Sequence, residues 1–331
     1  MKGISIIICC YNSAERLPKT LGHLANQLIT NTLNWEVILV NNNSSDDTAN
    51  LADSLWKSLG SPVSLKIVNE PNPGLSHARE KGMSVAKYEF FLWCDDDNWL
   101  CDNYVQTSFD VMETHPEIGA LGGWCEAAFE RDKPKWFDQQ AHFFAVSKQG
   151  RVRGDITLKK GCLYGAGMVL RKSHWLQLKQ QGFKHVLSDR IGKKLNSGGD
   201  TEYCFALRLL GYKMWFDERL YFKHFMDEGR LDLKYLSRLR KARTHSNFIL
   251  WPYLDLLKKE PRSKRGLLKY AFKGGSYRFI RQLGAICIGS YEQKQVAIRY
   301  FMFQNYCLFN YKTYEKNLFK TRNWLDQKGV T

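Results

Sequence analysis

Short apolar runs alternate with helical patterns over the first hundred residues, and this alternation restricts the folds open to the chain. The apolar runs read as strands buried on both faces; they are Ile4–Cys10, Trp35–Val40, Val63–Val68 and Glu89–Cys94. Between them lie predicted helices at Ser13–Ile29, after Asp46, and at Leu75–Ala86. Four strands alternating with three helices predict an α/β fold with a parallel sheet and right-handed crossovers.

The pattern after Asp97 is looser and divides the chain in two. Short strands are predicted at Ile118–Gly123, Tyr164–Leu170, Lys213–Phe216 and Tyr221–Phe225, and a helix at Thr201–Leu210. No strand signal remains beyond Leu231. We therefore expect a sheet-containing domain at 1–227 and a helical region at 228–331.

Basic charge is concentrated in the second of these parts. Residues 228–331 hold 22 lysines and arginines against 7 acidic residues, a net charge of +15 out of +16 for all 331 residues. Such asymmetry indicates an anionic partner: a membrane surface, a nucleic acid or a polyanionic substrate.

Cysteine usage and hydropathy indicate a cytoplasmic protein. The nine cysteines form no CxxC pair, and several lie in apolar runs, so free thiols in a reducing compartment are expected. The segment Met1–Cys10 does not resemble a secretory signal, and no apolar stretch approaches the ~20 residues of a membrane span.

Polar clusters follow the predicted strands and should converge at one edge of the sheet. In parallel sheets ligands bind outside the carboxyl ends of the strands. The clusters are Tyr11-Asn12, Asn41-Asn42-Asn43, Glu70 and Asp95-Asp96-Asp97. The three aspartates repel one another unless a positive group lies among them. A bound Mg²⁺ or Mn²⁺ would supply that positive charge and could bridge to a diphosphate at the same time. The alternative is a solvated acidic turn.

Three further positions carry chemistry, each with a structural alternative. Asp200 follows two glycines and suits a general base for a hydroxyl acceptor, or else an ordinary helix N-cap. Glu202 would orient the acceptor or favour the helix dipole. His224 would complete a metal site with Asp97, or else pack among its aromatic neighbours.

The remaining polar candidates suit a nucleotide. The amides of Asn41-Asn42-Asn43 can read a base and ribose, although asparagines also favour plain turns. Arg79 is expected to contact phosphate or Asp95, or else to lie on the surface.

Together these motifs resemble glycosyltransferase family 2, whose catalytic domain has the GT-A fold. The resemblance covers residues 3–227 and rests on five segments in order: Ile4–Asn12, Val37–Thr48, Gly74–Gly82, Phe91–Asp97 and Gly199–Cys204. It implies an inverting transfer from a nucleotide-diphosphate sugar, a UDP-sugar first among them, to a hydroxyl of a glycan or lipid-linked glycan in surface polysaccharide or glycolipid synthesis.

The resemblance also assigns roles to residues. Asp97, Asp95 and His224 would hold Mn²⁺ or Mg²⁺, and Asp200, with Glu202, would carry out catalysis. The expected nucleotide-sugar site comprises Tyr11, Asn12, Asn41, Asn42, Asn43, Arg79, Asp95 and Asp96. The chain departs from the family at Cys9-Cys10 (usually Pro-Thr), at Asn41 (usually Asp), at Glu80 (usually Asn) and at Gly199 (usually an acid).

The basic region lies outside this resemblance. Its lysines and arginines interleave with aromatic and aliphatic residues, a pattern typical of helices in a membrane interface. We expect peripheral attachment to the inner face of the cell membrane, beside a lipid-linked acceptor; the alternative is a helical cap on the catalytic domain.

Two other functions compete. A nucleotidyltransferase would need a glycine-rich basic loop after the first strand, where Cys10-Tyr11-Asn12-Ser13 stands. A nucleic-acid-binding protein would use the basic region, but no recognition motif accompanies it, so no nucleic-acid partner is expected.

Overall fold

The computed structural model describes residues 1–30, 32–192, 195–273 and 275–326. Within these ranges the strands form one mixed sheet. They are β1 (Ile4–Cys10), β2 (Trp35–Asn41), β3 (Leu65–Asn69), β4 (Phe90–Asp95), β5 (Asn98–Leu100), β6 (Ile118–Phe129), β7 (Gly154–Asp155), β8 (Val169–Arg171) and β9 (Lys213–Met226). Their order is β3-β2-β1-β4-β8-β6-β9-β5, and β7 pairs with β9.

The first half of the sheet is parallel, as the sequence predicts. Strands β3, β2, β1 and β4 all run the same way. Beyond β4 the sheet is mixed, because β8 is antiparallel to both β4 and β6, whereas β6 and β9 are parallel. The α/β class with mostly parallel central strands is confirmed.

Helices cover the sheet and form the whole C-terminal region. They are α1 (Leu17–Ala25), α2 (Thr48–Ser58), α3 (Leu75–Val85), α4 (Tyr104–Thr114), α5 (Phe137–Gln140), α6 (Lys172–Gln180), α7 (Gly199–Leu209), α8 (Leu233–Ile249), α9 (Trp251–Leu257), α10 (Lys264–Ala271), α11 (Gly275–Ile288), α12 (Tyr291–Phe309) and α13 (Tyr311–Asp326). Short 3₁₀ turns occur at Ala141–Phe144 and Glu228–Arg230. None of the helices in the described part of the chain has both the length and the apolarity that a membrane crossing requires.

Strand β1 shows why its sequence is mostly apolar. Ile6 and Ile8 pack into a core on one face of the sheet, with Leu21 of α1. Ile7 packs into a second core on the other face, with Ala78 of α3. Successive side chains point to opposite faces of a strand, so a strand between two helical layers is apolar on both faces; the buried Ser5 is the exception, and its hydroxyl donates to Glu36 at 2.7 Å.

Three of the predicted strands differ in extent from those observed. The prediction Tyr164–Leu170 is too long, because Gly167 has φ of +70° and only Val169–Arg171 pairs in the sheet. The predictions Lys213–Phe216 and Tyr221–Phe225 are parts of one strand, β9, which pairs with β6. Helices α4 and α6 were not predicted.

The C-terminal helices pack on the sheet-containing part. Phe248, Tyr253 and Trp324 belong to the same core as Tyr203 of α7. This packing agrees with the helical-cap alternative for α8, α9 and α13. One apolar core contains residues from both sides of position 227. The domain boundary at that position stays a prediction.

Candidate active site

The polar clusters meet at one edge of the sheet. Strand register pairs Cys10 with Asn41, Cys9 with Asp95, and Asn41 with Asn69. The carboxyl ends of β1, β2, β3 and β4 therefore lie side by side. We call this edge the carboxyl edge; the sequence-predicted clusters assemble there because parallel strands end in the same direction.

Each of the three adjacent aspartates faces its own arginine. An Asp95 Oδ lies 3.8 Å from a nitrogen of Arg79. Arg16 donates to Asp96 at 2.6 Å. Arg230 donates to Asp97 at 2.8 Å. Repulsion among the carboxylates is thus relieved by protein cations, and it does not by itself require a metal ion.

Asp97 is the most firmly held of the three. It is 3% exposed, and His224 Nε2 lies 3.4 Å from its Oδ1. Strand pairing fixes this contact, because Asn98 of β5 is in register with His224 of β9. Burial disfavours the charge, but His224 and Arg230 outweigh it and hold the pKa of Asp97 well below its usual value.

The pKa values of Asp95 and Asp96 shift in the opposite direction, upward. Burial, which Arg79 opposes and Asp97 reinforces, raises the pKa of Asp95. Burial and the neighbouring Asp97 raise the pKa of Asp96 despite the Arg16 guanidinium. Of the three aspartates at this edge, Asp97 therefore favours its ionised form most strongly.

Arg79 links this edge to the predicted base. It is 6% exposed, and its guanidinium stacks 4.1 Å from the Trp93 ring centroid. Besides Asp95 it faces Asp189 at 3.7 Å. It also packs on Gly165, where an added Cβ would stand 2.5 Å from an Arg79 nitrogen. Only glycine allows this close approach.

Asp200 is held by backbone donors at the start of α7. Its Oδ2 accepts the Gly165 amide at 2.7 Å, and its Oδ1 accepts the Thr201 amide at 2.6 Å. Gly199 before it is buried against Asp189, whose carboxylate would be 2.6 Å from an added Cβ. Asp200 and Asp95 are thus linked through the Gly165–Arg79 contact.

Glu202 lies away from the edge. It is fully buried, and its carboxylate accepts from the Val186 amide at 2.8 Å and from the Tyr253 hydroxyl at 3.0 Å. His185 Nδ1 lies 3.1 Å from it. These contacts tie α7 to α9 and to the 185–187 loop. They hold the Glu202 carboxylate inside the protein, where the structure leaves it no exposed surface for an acceptor.

The asparagines on the nucleotide side divide into two groups. Asn12 and Asn42 brace loops: Asn12 Oδ1 accepts the Ser45 amide at 2.8 Å, and Asn42 Oδ1 accepts the Gly74 amide at 2.8 Å. Asn43 and the neighbouring Tyr11 face outward: Asn43 is exposed with φ of +59°, and Tyr11 is 50% exposed. Asn41 is half-buried; its side chain donates to Asn69 at 3.2 Å and accepts from the Ser44 amide at 3.3 Å.

Asp97 and His224 fit a divalent cation shared with a ligand. Carboxylate oxygen and imidazole nitrogen are common ligands of Mn²⁺, and Mg²⁺ in such sites takes one or two carboxylates plus substrate phosphates. His224 Nδ1 is buried without a hydrogen-bond partner in the described structure. No three histidine, cysteine, aspartate or glutamate side chains within the described ranges could hold a metal ion by themselves.

Several residues at the site were missed by sequence reasoning. They are Arg16, Asp189 and Arg230. Arg16 and Asp189 belong to no motif, and Arg230 lies in the segment assigned to the basic region. Burial raises the pKa of Asp189, an effect that Arg79 opposes and Asp200 adds to.

Solved structures support the fold. The structure of Staphylococcus aureus TarS 1-349 in complex with UDP-GlcNAc superposes with a TM-score of 0.53 and 15% sequence identity, covering 99% of this chain and 91% of that one. This likeness shows that the central sheet and its flanking helices have the GT-A fold; a helical C-terminal region follows them.

Curated relatives match the N-terminal part. The putative glycosyltransferase EpsH of Bacillus subtilis is 26% identical over 163 residues, which are 46% of this chain and 44% of that protein. The poly-beta-1,6-N-acetyl-D-glucosamine synthase of Staphylococcus epidermidis is 29% identical over 124 residues, 37% of this chain and 28% of the synthase. The chain thus spans less than half the length of these relatives.

The family model for glycosyl transferase family 2 matches residues 5–175, just over half of the chain. The matched range contains β1, β2 and β4 with the aspartates that end β4, and it stops before Asp200. The expected family is confirmed: the chain carries a glycosyltransferase domain and belongs to glycosyl transferase family 2.

Proposed function

We propose that the protein is a metal-dependent inverting glycosyltransferase that moves a sugar from a nucleotide-diphosphate donor to a hydroxyl acceptor. The observation that supports this proposal is the chain of contacts that links Asp200 through Gly165 and Arg79 to Asp95. A base connected in this way to a proposed diphosphate-binding edge suits a single displacement at an anomeric carbon.

Asp200 is the proposed base. Its two hydrogen bonds to backbone amides fix the carboxylate, and a fixed base lowers the reorganisation needed in the transition state. The acceptor oxygen attacks the anomeric carbon while the bond from that carbon to the diphosphate oxygen breaks. The acceptor proton passes to Asp200, and the configuration inverts.

The donor is proposed to lie along the carboxyl edge. Asp97 and His224, with Asp95, would hold Mn²⁺ or Mg²⁺, which when bound neutralises charge on the diphosphate leaving group. The exposed Tyr11 and Asn43, with the half-buried Asn41, are the proposed contacts for base and ribose. A UDP-sugar is the preferred donor, since the similarly folded TarS has been crystallised with UDP-GlcNAc.

Two sequence-predicted residues take supporting roles in this proposal. Glu202 acts through α7, since its buried carboxylate ties the helix that begins with Asp200 to α9. Asp96 acts through α1, since it binds Arg16 and its carbonyl accepts from Thr20 at 2.8 Å. Both position the groups that would contact substrate.

The proposed setting is surface polysaccharide or glycolipid synthesis at the inner face of a membrane. Relatives named for polysaccharide synthesis support the first part. The second part is supported by α11, in which every residue is exposed or only half-buried and which presents Tyr277, Ile280 and Ile288 at 77%, 64% and 91% exposure. Exposed apolar residues beside arginines are typical of interfacial helices.

A nucleotide panel tests the function. Thermal unfolding is measured with UDP, GDP, CDP, ADP and their sugar conjugates, with and without Mn²⁺. We expect one nucleotide to raise Tm only with the metal, by RT ln(1 + [L]/Kd) in free energy, or about 2.7 kcal/mol at a hundredfold excess over Kd. Asp97→Ala should abolish the shift, whereas Asp102→Ala on the exposed turn after β5 should keep it. A metal-independent response, or none, would contradict the proposal.

A further inference from the structure

A pocket with basic walls lies among the C-terminal helices. Its volume is about 560 Å³, and it is bounded by α8, α10, α11, α12 and the 3₁₀ turn at Ala141–Phe144. Its charged lining residues are Arg240, Arg243, Lys273, Arg278 and Arg299. No aspartate or glutamate is among the lining residues that the structure describes. We call it the arginine pocket.

Arg240 is buried at this pocket with most of its donors unused. The residue is 1% exposed. One nitrogen, Nη2, donates to Glu292 at 2.7 Å, but Nε and Nη1 are buried with no partner among the described residues. Leaving donors of a buried charged group unsatisfied is strongly unfavourable. Nε and Nη1 of Arg240 are therefore free to donate to an anion that enters the pocket.

Three arginines share one aromatic ring beside the pocket. The guanidinium carbons of Arg240, Arg243 and Arg299 lie 5.5, 5.3 and 5.6 Å from the centroid of Phe143. The ring face holds cations by its quadrupole and keeps the three guanidiniums close despite their repulsion. Burial together with Arg240 and Arg243 lowers the pKa of Arg299, and burial with the same arginines lowers the pKa of His142. Burial is the largest cause of both shifts, and the neighbouring arginines add to it.

The arginine pocket adjoins the proposed acceptor side. Arg243 donates to the His142 carbonyl at 3.4 Å, and the Tyr164 hydroxyl lies 3.5 Å from the same carbonyl. The next residue, Gly165, donates its amide to Asp200. Tyr164 therefore separates the pocket from the proposed base.

We propose that the arginine pocket binds a phosphate or pyrophosphate group of the acceptor while a hydroxyl of the same acceptor reaches Asp200. This rests on the proposed function. Guanidinium forks match phosphate oxygens in paired hydrogen bonds, and a group carrying two or more negative charges offsets several cations at once. All five basic residues that line the pocket lie outside residues 5–175, the part of the chain that the family model matches.

Titration with inorganic pyrophosphate tests the pocket alone. Calorimetry is done on the full chain with chelator and no metal, so that the acidic carboxyl edge repels the probe. We expect saturable 1:1 binding. Arg243→Gln with Arg299→Gln should weaken it by on the order of a hundredfold, since each charged hydrogen bond contributes about tenfold.

A matched control removes equal charge elsewhere. Lys264→Gln with Arg265→Gln changes two exposed residues of α10 that do not line the pocket, and binding should change less than about threefold, as expected for screened surface charge. Equal loss in both double variants, or no binding by the unmodified protein, would overturn the proposal.

Arg240→Met separates binding from a structural role. If the donors of Arg240 await a ligand, this variant should lose pyrophosphate affinity while its Tm in phosphate-free buffer stays equal or rises. A lower Tm with unchanged affinity would mean that Arg240 serves the fold, and would overturn the assignment.

Two competitors identify the source of the phosphate. Displacement of pyrophosphate by soluble glycerol 3-phosphate, but not by phosphatidylglycerol vesicles, supports an acceptor phosphate; displacement by the vesicles alone assigns the pocket to lipid headgroups and overturns the acceptor role. Failure of this titration leaves the proposed function standing. Failure of the nucleotide panel removes that function, and with it the acceptor assignment, whatever pyrophosphate does.

Discussion

Single residues at the carboxyl edge are held by partners from distant parts of the chain. Asp200 depends on the Gly165 amide, and Asp97 depends on Arg230 and His224. Backbone donors hold Asp200 without neutralising it, which suits a group that must accept a proton. Arginine and histidine hold Asp97 as an anion.

Asp200→Asn tests the base. The amide oxygen of asparagine can still accept from Gly165, so the loop should keep its position, but the side chain can no longer accept the acceptor proton. We expect kcat to fall by about 10²–10⁴-fold, with the donor-dependent Tm shift retained. Steady-state transfer assays alongside thermal unfolding measure both quantities. A kcat within about threefold of the unmodified protein would exclude Asp200 as the base.

The buried His185–Glu202 pair should make stability depend on pH. Burial opposes the charge of His185, but Glu202 outweighs it and raises the pKa of His185 above its ordinary value. A raised folded-state pKa stabilises the protein fully below the unfolded value, about 6.5, and this stabilisation disappears as the pH rises through the folded pKa. The pair should therefore contribute more at pH 6 than at pH 9.

His185→Gln is the variant that measures this contribution. We expect it to lower the free energy of unfolding by about 2 kcal/mol at pH 6 and by less at pH 9, as read from denaturant unfolding across that range. His115→Gln replaces a histidine whose side chain is 37% exposed, and as a surface substitution it should change the free energy of unfolding by no more than about 0.5 kcal/mol. If the His185 difference grows with pH, the sign of the coupling is wrong.

At the scale of elements, β6 and β9 carry a built-in irregularity. Their register shifts between Gly122 and Trp124, and at Gly123 an added Cβ would stand 1.6 Å from the Leu220 carbonyl oxygen. Since that oxygen belongs to the backbone, it cannot move aside without distorting β9. The same strand delivers His224 to Asp97.

Gly123→Ala should therefore destabilise the fold by about 3 kcal/mol. Gly22→Ala is the matched change: Gly22 lies inside α1, and nothing lies within 4 Å of its added Cβ. That variant should stabilise by about 0.5–1 kcal/mol through the better helix propensity of alanine. Chemical denaturation of the two variants measures both. Equal effects would show that the close approach at Gly123 is relaxed in solution.

Elements with local signals were predictable, and contacts between distant elements were not. The run Ile4–Cys10 is observed with the predicted bounds because all of its residues except the half-buried Cys9 are buried. Tyr164–Leu170 was overestimated because Gly167 leaves the strand conformation. The aspartates of β4 were found from their position at a strand end, whereas Arg16 and Arg230 meet them only through tertiary packing.

At the scale of the whole molecule, charge and apolar exposure are both concentrated in the C-terminal region. Residues 228–331 carry +15 of the net charge. Among the described residues of that region, α11 leaves Ile280 and Leu283 at 64% and 45% exposure, and Arg281 between them is exposed. A partner that is both anionic and apolar, such as a lipid interface, matches this combination better than a polyanion alone.

Vesicle sedimentation tests that match. The protein should bind vesicles of phosphatidylcholine with a quarter phosphatidylglycerol at low salt and dissociate as ionic strength rises, because each basic residue near the surface contributes only about 1 kcal/mol and is screened within ~10 Å at 0.1 M salt. Pure phosphatidylcholine should bind far less. Ile280→Asp with Leu283→Asp should lower the partition coefficient at least about tenfold, since it removes two side chains whose burial contributes about 1.5–3 kcal/mol each. Leu158→Asp changes a side chain that is 95% exposed on the sheet-containing part, and it should leave binding unaltered. If the α11 variant and Leu158→Asp weaken vesicle binding equally, the adsorption is unspecific. If added salt releases the protein but the α11 variant binds like the unmodified protein, the basic surface alone attaches the protein and α11 does not enter the interface.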